Sequence, residues 1–202
     1  RLRTFLTKPS LEPRPNLPAA RVGEENAVSV SPRSNFFWDT EKQFPLLRDL
    51  SLSFKSGTLN MIIGRTGSGK SGLCNAIIGD LLSEKGERVV VRGRLAYAPQ
   101  VAFIQNMTVR ENILFGRPFD PAFYDRVVDA CALRSDFDVL PGGDQCEIGA
   151  KGINLSGGQR QRVALARACY QQSDVYLFDD SLSAVDNHVA QHIFRHCILN
   201  LL

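Results

Sequence analysis

The spacing of apolar residues along the chain changes several times, and each spacing predicts a different kind of element. Short apolar runs, and apolar residues that alternate with serine, predict strands at residues 27–30, 35–38, 50–54, 59–63, 87–91, 95–98 and 175–178. Apolar residues at helical spacing predict helices at residues 71–82, 120–133, 157–171 and 187–199, with a short one at 1–6. Strands at both ends of the chain with helices between them predict an α/β core that carries an inserted helical lobe.

Composition places the chain among ordinary globular proteins. Its 202 residues are 44% hydrophobic and 22% charged, which excludes a disordered or fibrous chain. The net charge of +3 is too small to indicate a nucleic-acid or membrane-surface partner, and no apolar run approaches the roughly 18 residues of a membrane-spanning helix. The five cysteines are odd in number, widely spaced and without a C-x-x-C pair. We therefore expect reduced thiols rather than a disulfide framework or a zinc ribbon.

A glycine-rich segment between a predicted strand and a predicted helix matches the pattern G-x-x-x-x-G-K-[ST]. Glycines allow successive backbone N–H groups to face a phosphate, and the helix that follows adds the positive end of its dipole. Lys70 is expected to reach the outer phosphates, and the Ser71 hydroxyl to bind Mg²⁺. The alternative, a glycine-rich turn that binds nothing, is much less favoured. The candidate phosphate-binding residues are Gly64, Arg65, Thr66, Gly67, Ser68, Gly69, Lys70 and Ser71.

The strand predicted at residues 175–178 ends in a carboxylate, Asp179. Carboxyl ends of parallel strands face the ligand crevice of a sheet, so Asp179 is expected to bind Mg²⁺ directly or through water. A strand that ends in Asp is weak evidence alone, because strands are often followed by turns. The assignment of Asp179 to Mg²⁺ is supported by a second motif at residues 155–159, Leu-Ser-Gly-Gly-Gln. By chance this pentapeptide is expected in about one chain of this length in 5,000.

Residues 155–159 are identified as the signature motif of the ATP-binding cassette family. With the glycine-rich segment, the resemblance covers residues 35–202. It implies that Gln100 is a Q-loop glutamine that senses the nucleotide and binds Mg²⁺, and that Trp38 stacks on adenine; a core tryptophan is the alternative for Trp38. Residues 183–186 resemble the D-loop. The signature residues expected to contact ATP are Ser156, Gly157, Gly158 and Gln159.

Residues 103–116 and 147–186 narrow the resemblance to the first nucleotide-binding domain of multidrug-resistance-associated, C-type transporters. This implies an α/β fold: a P-loop NTPase core with a mostly parallel sheet, an N-terminal antiparallel β subdomain and an inserted α-helical signature subdomain at about 101–160. Residues 1–25 are expected to be a linker from a preceding transmembrane domain. Residues 26–202 are expected to be the nucleotide-binding domain, ending before the family's switch histidine.

Three positions depart from the pattern that the resemblance implies. Asp180 follows Asp179 where the family has its catalytic glutamate, Ser181 stands where the C-type branch often has proline, and Ala150 stands where an acidic residue is usual. Asp180 and Gln100 are the candidate catalytic residues. Because the Asp180 side chain is one methylene shorter than glutamate, we expect it to serve in the Mg²⁺ shell, with a slow general base as the alternative.

Three histidines, His188, His192 and His196, recur at every fourth position of the last predicted helix. This spacing places the three side chains on one helix face, where a metal site is one interpretation. A polar stripe on a surface helix is the favoured interpretation. None of the three matches the switch histidine, because all follow the D-loop too closely.

The resemblance implies an ATPase domain that uses ATP and Mg²⁺ to power or gate export across a membrane. Its expected partners are a second nucleotide-binding domain and the transmembrane domains of the same transporter, with no nucleic acid and no membrane insertion by this segment. The expected location is the cytoplasmic face of a plasma or organelle membrane. Two other hypotheses stay open: a regulatory ATP-sensing domain of a channel-like or channel-regulating relative, and a soluble cassette protein without a membrane partner.

Overall fold

The computed structural model describes residues 16–38, 44–83, 89–149 and 155–202. The chain divides into two compact units, Arg1–Leu95 and Ala96–Leu202. The helix predicted at residues 1–6, residues 87 and 88 of a predicted strand, and Ala150 lie outside the described residues. In the part of the chain that is described, no helix has the length and apolar character needed to cross a membrane.

An antiparallel sheet forms the first unit. Its central strand β1 (Asn26–Phe37) pairs with β2 (Leu47–Lys55), with β3 (Leu82–Ser83) and with β4 (Val89–Val91). Helix α1 (Lys70–Ile78) follows the glycine-rich segment and ends at Gly79, whose φ of 96° is readily adopted only by glycine. A small core of Val30, Phe36, Ala76 and Leu81 joins β1 to α1 and to the segment that follows it.

Strand β1 corrects one sequence prediction. The two strands predicted at residues 27–30 and 35–38 form one strand, whose register against β2 shifts between Val30 and Ser34. Arg33 has a φ of 59° at this irregularity, and the Ser34 hydroxyl donates a 2.7 Å hydrogen bond to the carbonyl of Ser31. The polar residues between the two apolar runs therefore form a bulge that bends the strand without ending it.

The strand predicted at residues 59–63 is wrong. The structure assigns no strand there, and the described residues provide no ladder partner for this run. Leu59, Met61 and Ile63 are 54%, 75% and 87% exposed. A short apolar run carries no periodicity that identifies its partner, and a strand forms only where a neighbouring strand accepts its backbone hydrogen bonds.

The second unit is mainly helical. Strands β5 (Leu95–Ala98) and β6 (Val175–Phe178) pair with each other, which confirms both predictions. The helices are α2 (Val109–Leu114), α3 (Pro121–Ala130), α4 (Arg134–Val139), α5 (Gly157–Tyr170) and α6 (Asn187–Ile193), with a 3-10 turn at Gly143–Gln145 and a π-helix at Phe194–Ile198.

Helix α5 passes through the core of this unit and packs against α2, α3 and β6. Its bounds confirm the helix predicted at 157–171 to within one residue. The helix predicted at 120–133 ends earlier, at Ala130, because the chain turns at Ala132, where φ is 54°. The helix predicted at 187–199 is α-helical only to Ile193 and then widens into the π-helix.

Candidate functional site

The glycine-rich segment forms a loop that leads directly into α1. Gly67 and Gly69 have φ values of 78° and 93°, in the left-handed region that glycine adopts without strain. Gly69 is the N-cap of α1, and no side chain caps the helix there. The first backbone N–H groups of α1 therefore have no side-chain acceptor at the cap, which leaves them suited to an anion.

Lys70 and Ser71 lie on the first turn of α1, and both side chains are partly buried. The Lys70 ammonium donates hydrogen bonds to the carbonyls of Gly64 at 2.8 Å and Arg65 at 3.0 Å, so its charge lies over the loop. A Cβ atom on residue 64 would lie 2.6 Å from the Ser68 hydroxyl oxygen, so a side chain there would displace that hydroxyl. The loop, its lysine and the uncapped helix together fit a phosphate group.

Trp38 follows the last residue of β1 and is 60% exposed, whereas its neighbour Phe37 is 3% exposed. Phe36 and Phe37 at the end of β1 are both buried, and the chain leaves the strand at Trp38. The exposure excludes a core role for Trp38 and leaves its indole ring available to a planar ligand.

Asp179 and Asp180 follow β6 directly and have different surroundings. Asp179 is 7% exposed, its backbone N–H donates to the Ala98 carbonyl at 3.0 Å, and the Tyr97 hydroxyl lies 3.5 Å from its carboxylate. Asp180 is exposed, with a φ of 52°, and its carboxylate accepts a 3.2 Å hydrogen bond from the amide of Gln100. Two candidate residues from distant parts of the sequence are thus joined directly.

The signature motif forms the N-terminus of α5. Ser156 is the N-cap, and it exchanges two hydrogen bonds with Gln159 in a capping box: the Gln159 N–H donates to the Ser156 hydroxyl at 3.2 Å, and the Ser156 N–H donates to the Gln159 side chain at 2.9 Å. A Cβ atom on Gly157 would contact nothing within 4 Å, whereas one on Gly158 would lie 3.0 Å from the carbonyl oxygen of Ala184. The start of α5 is therefore open at Gly157 and closely packed at Gly158.

Asp136 fixes this helix start, and no sequence signal indicated it. Its carboxylate accepts hydrogen bonds from the Gln159 amide at 3.0 Å and from the Arg162 guanidinium at 2.5 Å. The Asp136 and Arg162 side chains are 13% and 12% exposed, so little solvent screens the ion pair. Asp136 lies on the short helix α4, where an acidic residue alone suggests only a solvated surface.

Two further polar side chains of α5 support the site, and the sequence analysis did not predict either of them. Gln161 is 3% exposed and donates to the carbonyl of Pro99, next to Gln100, at 3.1 Å. Arg167 donates hydrogen bonds to the carbonyls of Phe103 and Asn112, each at 2.7 Å, and burial lowers its pKa. Gln161 thus holds the residue before Gln100 against α5, and Arg167 holds the segment after it. Their positions in an apolar helical stretch are the only signal that sequence reasoning could have used.

The predicted site residues divide between the two units. Trp38 and the whole glycine-rich segment belong to the first unit, and the other predicted residues belong to the second. Within the second unit, the structure connects Gln100 to Asp180 and Ser156 to Gln159.

The histidine stripe lies on the surface, as expected. His188 and His196 are exposed, and the rings of His192 and His196 stack with centroids 4.4 Å apart. His192 Nε2 donates to the carbonyl of Asp129 at 2.8 Å. Among the described residues, these histidines do not form a group of three metal ligands; the group that does is Cys131, Cys169 and Cys197.

Comparison with known proteins finds ABC transporters, both by family model and by individual relatives. The family model described as "ABC transporter" matches residues 47–183. Multidrug resistance protein mrp-7 of Caenorhabditis elegans is 53% identical over 86% of this chain, and human ATP-binding cassette sub-family C member 3 is 45% identical over 98% of it. Mouse ATP-binding cassette sub-family C member 2 is 49% identical over 86% of the chain.

The chain spans only 11–13% of the length of these relatives. Domains of the matched family have the P-loop NTPase fold and bind ATP, usually with Mg²⁺. The glycine-rich loop before α1 and the complete signature at the start of α5 are the features that this match predicts. The chain therefore belongs to the ABC transporter family, and within that family it resembles the multidrug-resistance-associated C sub-family.

Proposed function

We propose that this chain is an ATP-binding domain that powers or gates export by a C-type ABC transporter, and that it acts by ATP-driven dimerisation with a second nucleotide-binding domain. The observation that carries the proposal is the pair of helix starts. One follows a glycine-rich loop and has no side-chain cap, and the other is a complete signature that is exposed at Ser156 and Gly157. In such a dimer, each helix start contacts a phosphate of a different ATP.

The chain's own site would hold ATP with Mg²⁺ through residues of three segments. Lys70 would donate to the outer phosphates, and the adjacent N–H groups of α1 would bind them in the same loop. Ser71, Gln100 and Asp179 carry the oxygen donors that Mg²⁺ prefers, and Trp38 would stack on adenine. In this proposal the exposure of Trp38, at 60%, is what a base-stacking surface requires.

This site is expected to hydrolyse ATP poorly. A general base must reach the attacking water, and Asp180 is one methylene shorter than the glutamate usual in the family. The Gln100 amide also holds the Asp180 carboxylate at 3.2 Å, so the carboxylate is partly engaged before any water is positioned. ATP in this site would then act mainly to hold two domains together, with Asp180 in the Mg²⁺ shell.

The signature is expected to serve the partner domain's site. The backbone N–H groups of Gly157 and Gly158, which the capping box does not use, and the Ser156 hydroxyl would stabilise the γ-phosphate of ATP held by the partner. This domain would therefore complete a hydrolytic site in which it does not supply the base.

A regulatory ATP sensor is the second candidate, favoured by Asp180. A domain that binds ATP without rapid turnover suits a channel-like or channel-regulating member of the same branch. ATPase activity that is slow in the full-length protein, together with ATP-dependent gating, would favour this candidate over export.

The wider assignments follow from the proposed transporter. We place the domain at the cytoplasmic face of a plasma or organelle membrane, with residues 1–25 as the linker from a transmembrane domain. Residues 26–202 would be the nucleotide-binding domain and residues 101–160 its signature subdomain. A full-length sequence without transmembrane segments upstream of Arg1 would favour the soluble cassette hypothesis instead.

The test compares two variants of the full-length protein. Ser156→Arg places bulk and charge at the start of α5 and should abolish most ATPase activity, whereas Asp180→Asn should reduce it much less. Steady-state ATPase rates at saturating Mg-ATP give the answer, with ATP binding and protein folding measured for both variants. A larger loss for Asp180→Asn would reverse the assignment of the two sites.

The 202-residue chain alone provides a second test. Because Asp180 is a poor base and no partner supplies a signature, its turnover should lie well below about 1 s⁻¹, the low end of ordinary enzymes. Turnover at or above that rate would contradict the proposed weakness of this site.

A further inference from the structure

Three cysteines that are far apart in the sequence meet in the core of the second unit. Cys131 follows the last residue of α3, Cys169 lies in the last turn of α5, and Cys197 lies in the π-helix. Their three sulfur atoms lie within 4.8 Å of one another, and the Cys169 and Cys197 sulfurs are 3.2 Å apart. All three residues are 0% exposed.

We propose that Cys131, Cys169 and Cys197 form a buried three-sulfur site for a soft, thiophilic metal ion, and that monovalent copper is the ion it fits. The distances agree with this role. With metal–sulfur distances of about 2.3 Å, three sulfurs around one ion lie about 4 Å apart. All three sulfur pairs lie within 4.8 Å, and the 3.2 Å between the Cys169 and Cys197 sulfurs is shorter than that value, so a bound ion would move these two sulfurs slightly apart.

The donor set selects the ion. Among the described residues, no histidine or carboxylate joins the three sulfurs. Structural zinc sites use four ligands, and iron–sulfur clusters use four cysteines or a mixed set of four. Soft sulfur donors without nitrogen or oxygen ligands favour Cu(I).

The local fold supports a site at this position. Residues 194–198 form a π-helix, whose extra residue per turn shifts Cys197 relative to a continuous α-helix, and such segments occur frequently at functional sites. A surface cleft of about 280 Å³ is lined by residues that include Ala130, His192 and His196. Ala130 and His196 immediately precede Cys131 and Cys197 in the chain, so the cleft lies next to the segments that carry two of the three cysteines.

Binding requires no oxidant. Copper enters as Cu(I), copper–sulfur bonds form, and each thiol that becomes a thiolate loses its S–H proton to solvent. No electron is transferred, and no sulfur–sulfur bond forms.

The test uses the full chain in a background that lacks the other two cysteines, Cys74→Ala with Cys146→Val. This background keeps all three clustered thiols, so any copper–thiolate signal comes from them. Anaerobic titration with Cu(I) held by a competing chelator should show one equivalent bound, with ultraviolet thiolate-to-copper charge-transfer absorption. Cys169→Val, which replaces the sulfur with methyl groups and keeps the position apolar, should weaken binding at least tenfold, and Cys169→Val with Cys197→Val should abolish it.

Two measurements keep the proposal open to refutation if a core variant unfolds. X-ray absorption at the copper edge of the background protein should show three sulfur ligands and no nitrogen or oxygen. Zn²⁺ titrated in parallel should bind more weakly than Cu(I), since the site lacks a fourth ligand. Absence of Cu(I) binding by the background protein, unchanged affinity in a folded Cys169→Val variant, or tighter binding of Zn²⁺ would overturn the proposal.

Discussion

The two helix starts that carry the proposed phosphate sites are built in opposite ways. Helix α1 begins after Gly69, without a side-chain cap, and its loop is held only by short contacts such as those of Lys70 with two carbonyls. Helix α5 begins with a complete capping box at Ser156, fixed from outside by Asp136. Both helices have a positive dipole end at their start, but only the start of α5 has side-chain partners, which bind the N–H groups of Ser156 and Gln159.

The two helix starts therefore differ in how far each anion site is formed before the ligand binds. The start of α1 leaves its backbone donors for the ligand, so ligand binding is expected to order and stabilise the loop. The start of α5 is already rigid, so a partner's phosphate would meet groups that need no rearrangement. Mutations should therefore affect folding most at α5 and ligand affinity most at α1.

The largest effect should come from removing the carboxylate behind α5. Asp136→Ala leaves the nearly buried Arg162 without its ion-pair partner and Gln159 without its acceptor, and breaking such a pair costs about 3–5 kcal/mol in the free energy of unfolding. Urea denaturation of the chain measures the loss. Asp138→Ala, an exposed position on the same helix α4, is the control and should change stability by less than about 0.5 kcal/mol. Equal losses in the two variants would show that α5 is not held by this contact.

At α1 the largest effect should be on affinity. Lys70→Ala removes a charge-assisted contact to phosphate worth about 1.5–3 kcal/mol, so the dissociation constant for Mg-ATP should rise about ten- to hundredfold. Its own hydrogen bonds go only to loop carbonyls, so folding should change little. Calorimetric titration of the chain with Mg-ATP measures the affinity, with Lys55→Ala, at the exposed end of β2, as the control. Unchanged affinity in folded Lys70→Ala would contradict the phosphate role of this loop.

Substitution of Trp38 tests how the chain recognises adenine, separately from how it recognises the phosphates. Stacking on adenine is worth about 1–3 kcal/mol, so Trp38→Ala should weaken ATP binding by a factor of roughly 5 to 150 and leave the binding of inorganic triphosphate unchanged. Trp38→Phe should restore part of the affinity. Trp38 is the only tryptophan, so its fluorescence reports directly on the wild-type protein. An equal fluorescence response to ATP and to triphosphate would remove the stacking role.

The smallest effect should separate the two signature glycines. Gly158→Ala would place a Cβ atom 3.0 Å from the carbonyl of Ala184 and should destabilise the chain by about 1 kcal/mol as the backbone moves. Gly157→Ala meets open space and should be neutral or slightly stabilising, because alanine favours a helix. Urea midpoints of the two variants provide the comparison, and a more stable Gly158→Ala variant would contradict the close packing of this helix start.

Local sequence predicted the elements whose boundaries depend on local chemistry. Gly67 and Gly69 specify a turn that other residues resist, and Ser156 with Gln159 specifies a helix start, because these effects act over three or four residues. Strands β5 and β6 were predicted to the residue. The run at 59–63 was predicted wrongly, since a strand depends on a partner that the run itself does not encode.

What the sequence by itself determined about this protein is its set of motifs: the loop before α1, the signature at α5 and the Asp179–Asp180 pair after β6. Each motif consists of residues that are close together in the sequence. The types and the order of these residues indicate what the motif binds. Only the tertiary structure decided which distant groups meet. It joined Gln100 to Asp180, placed Asp136 behind the signature, and gathered Cys131, Cys169 and Cys197 into one cluster. The physical reason is that packing brings together residues that are tens of positions apart, and no local pattern of apolar and polar residues records which helix faces will touch.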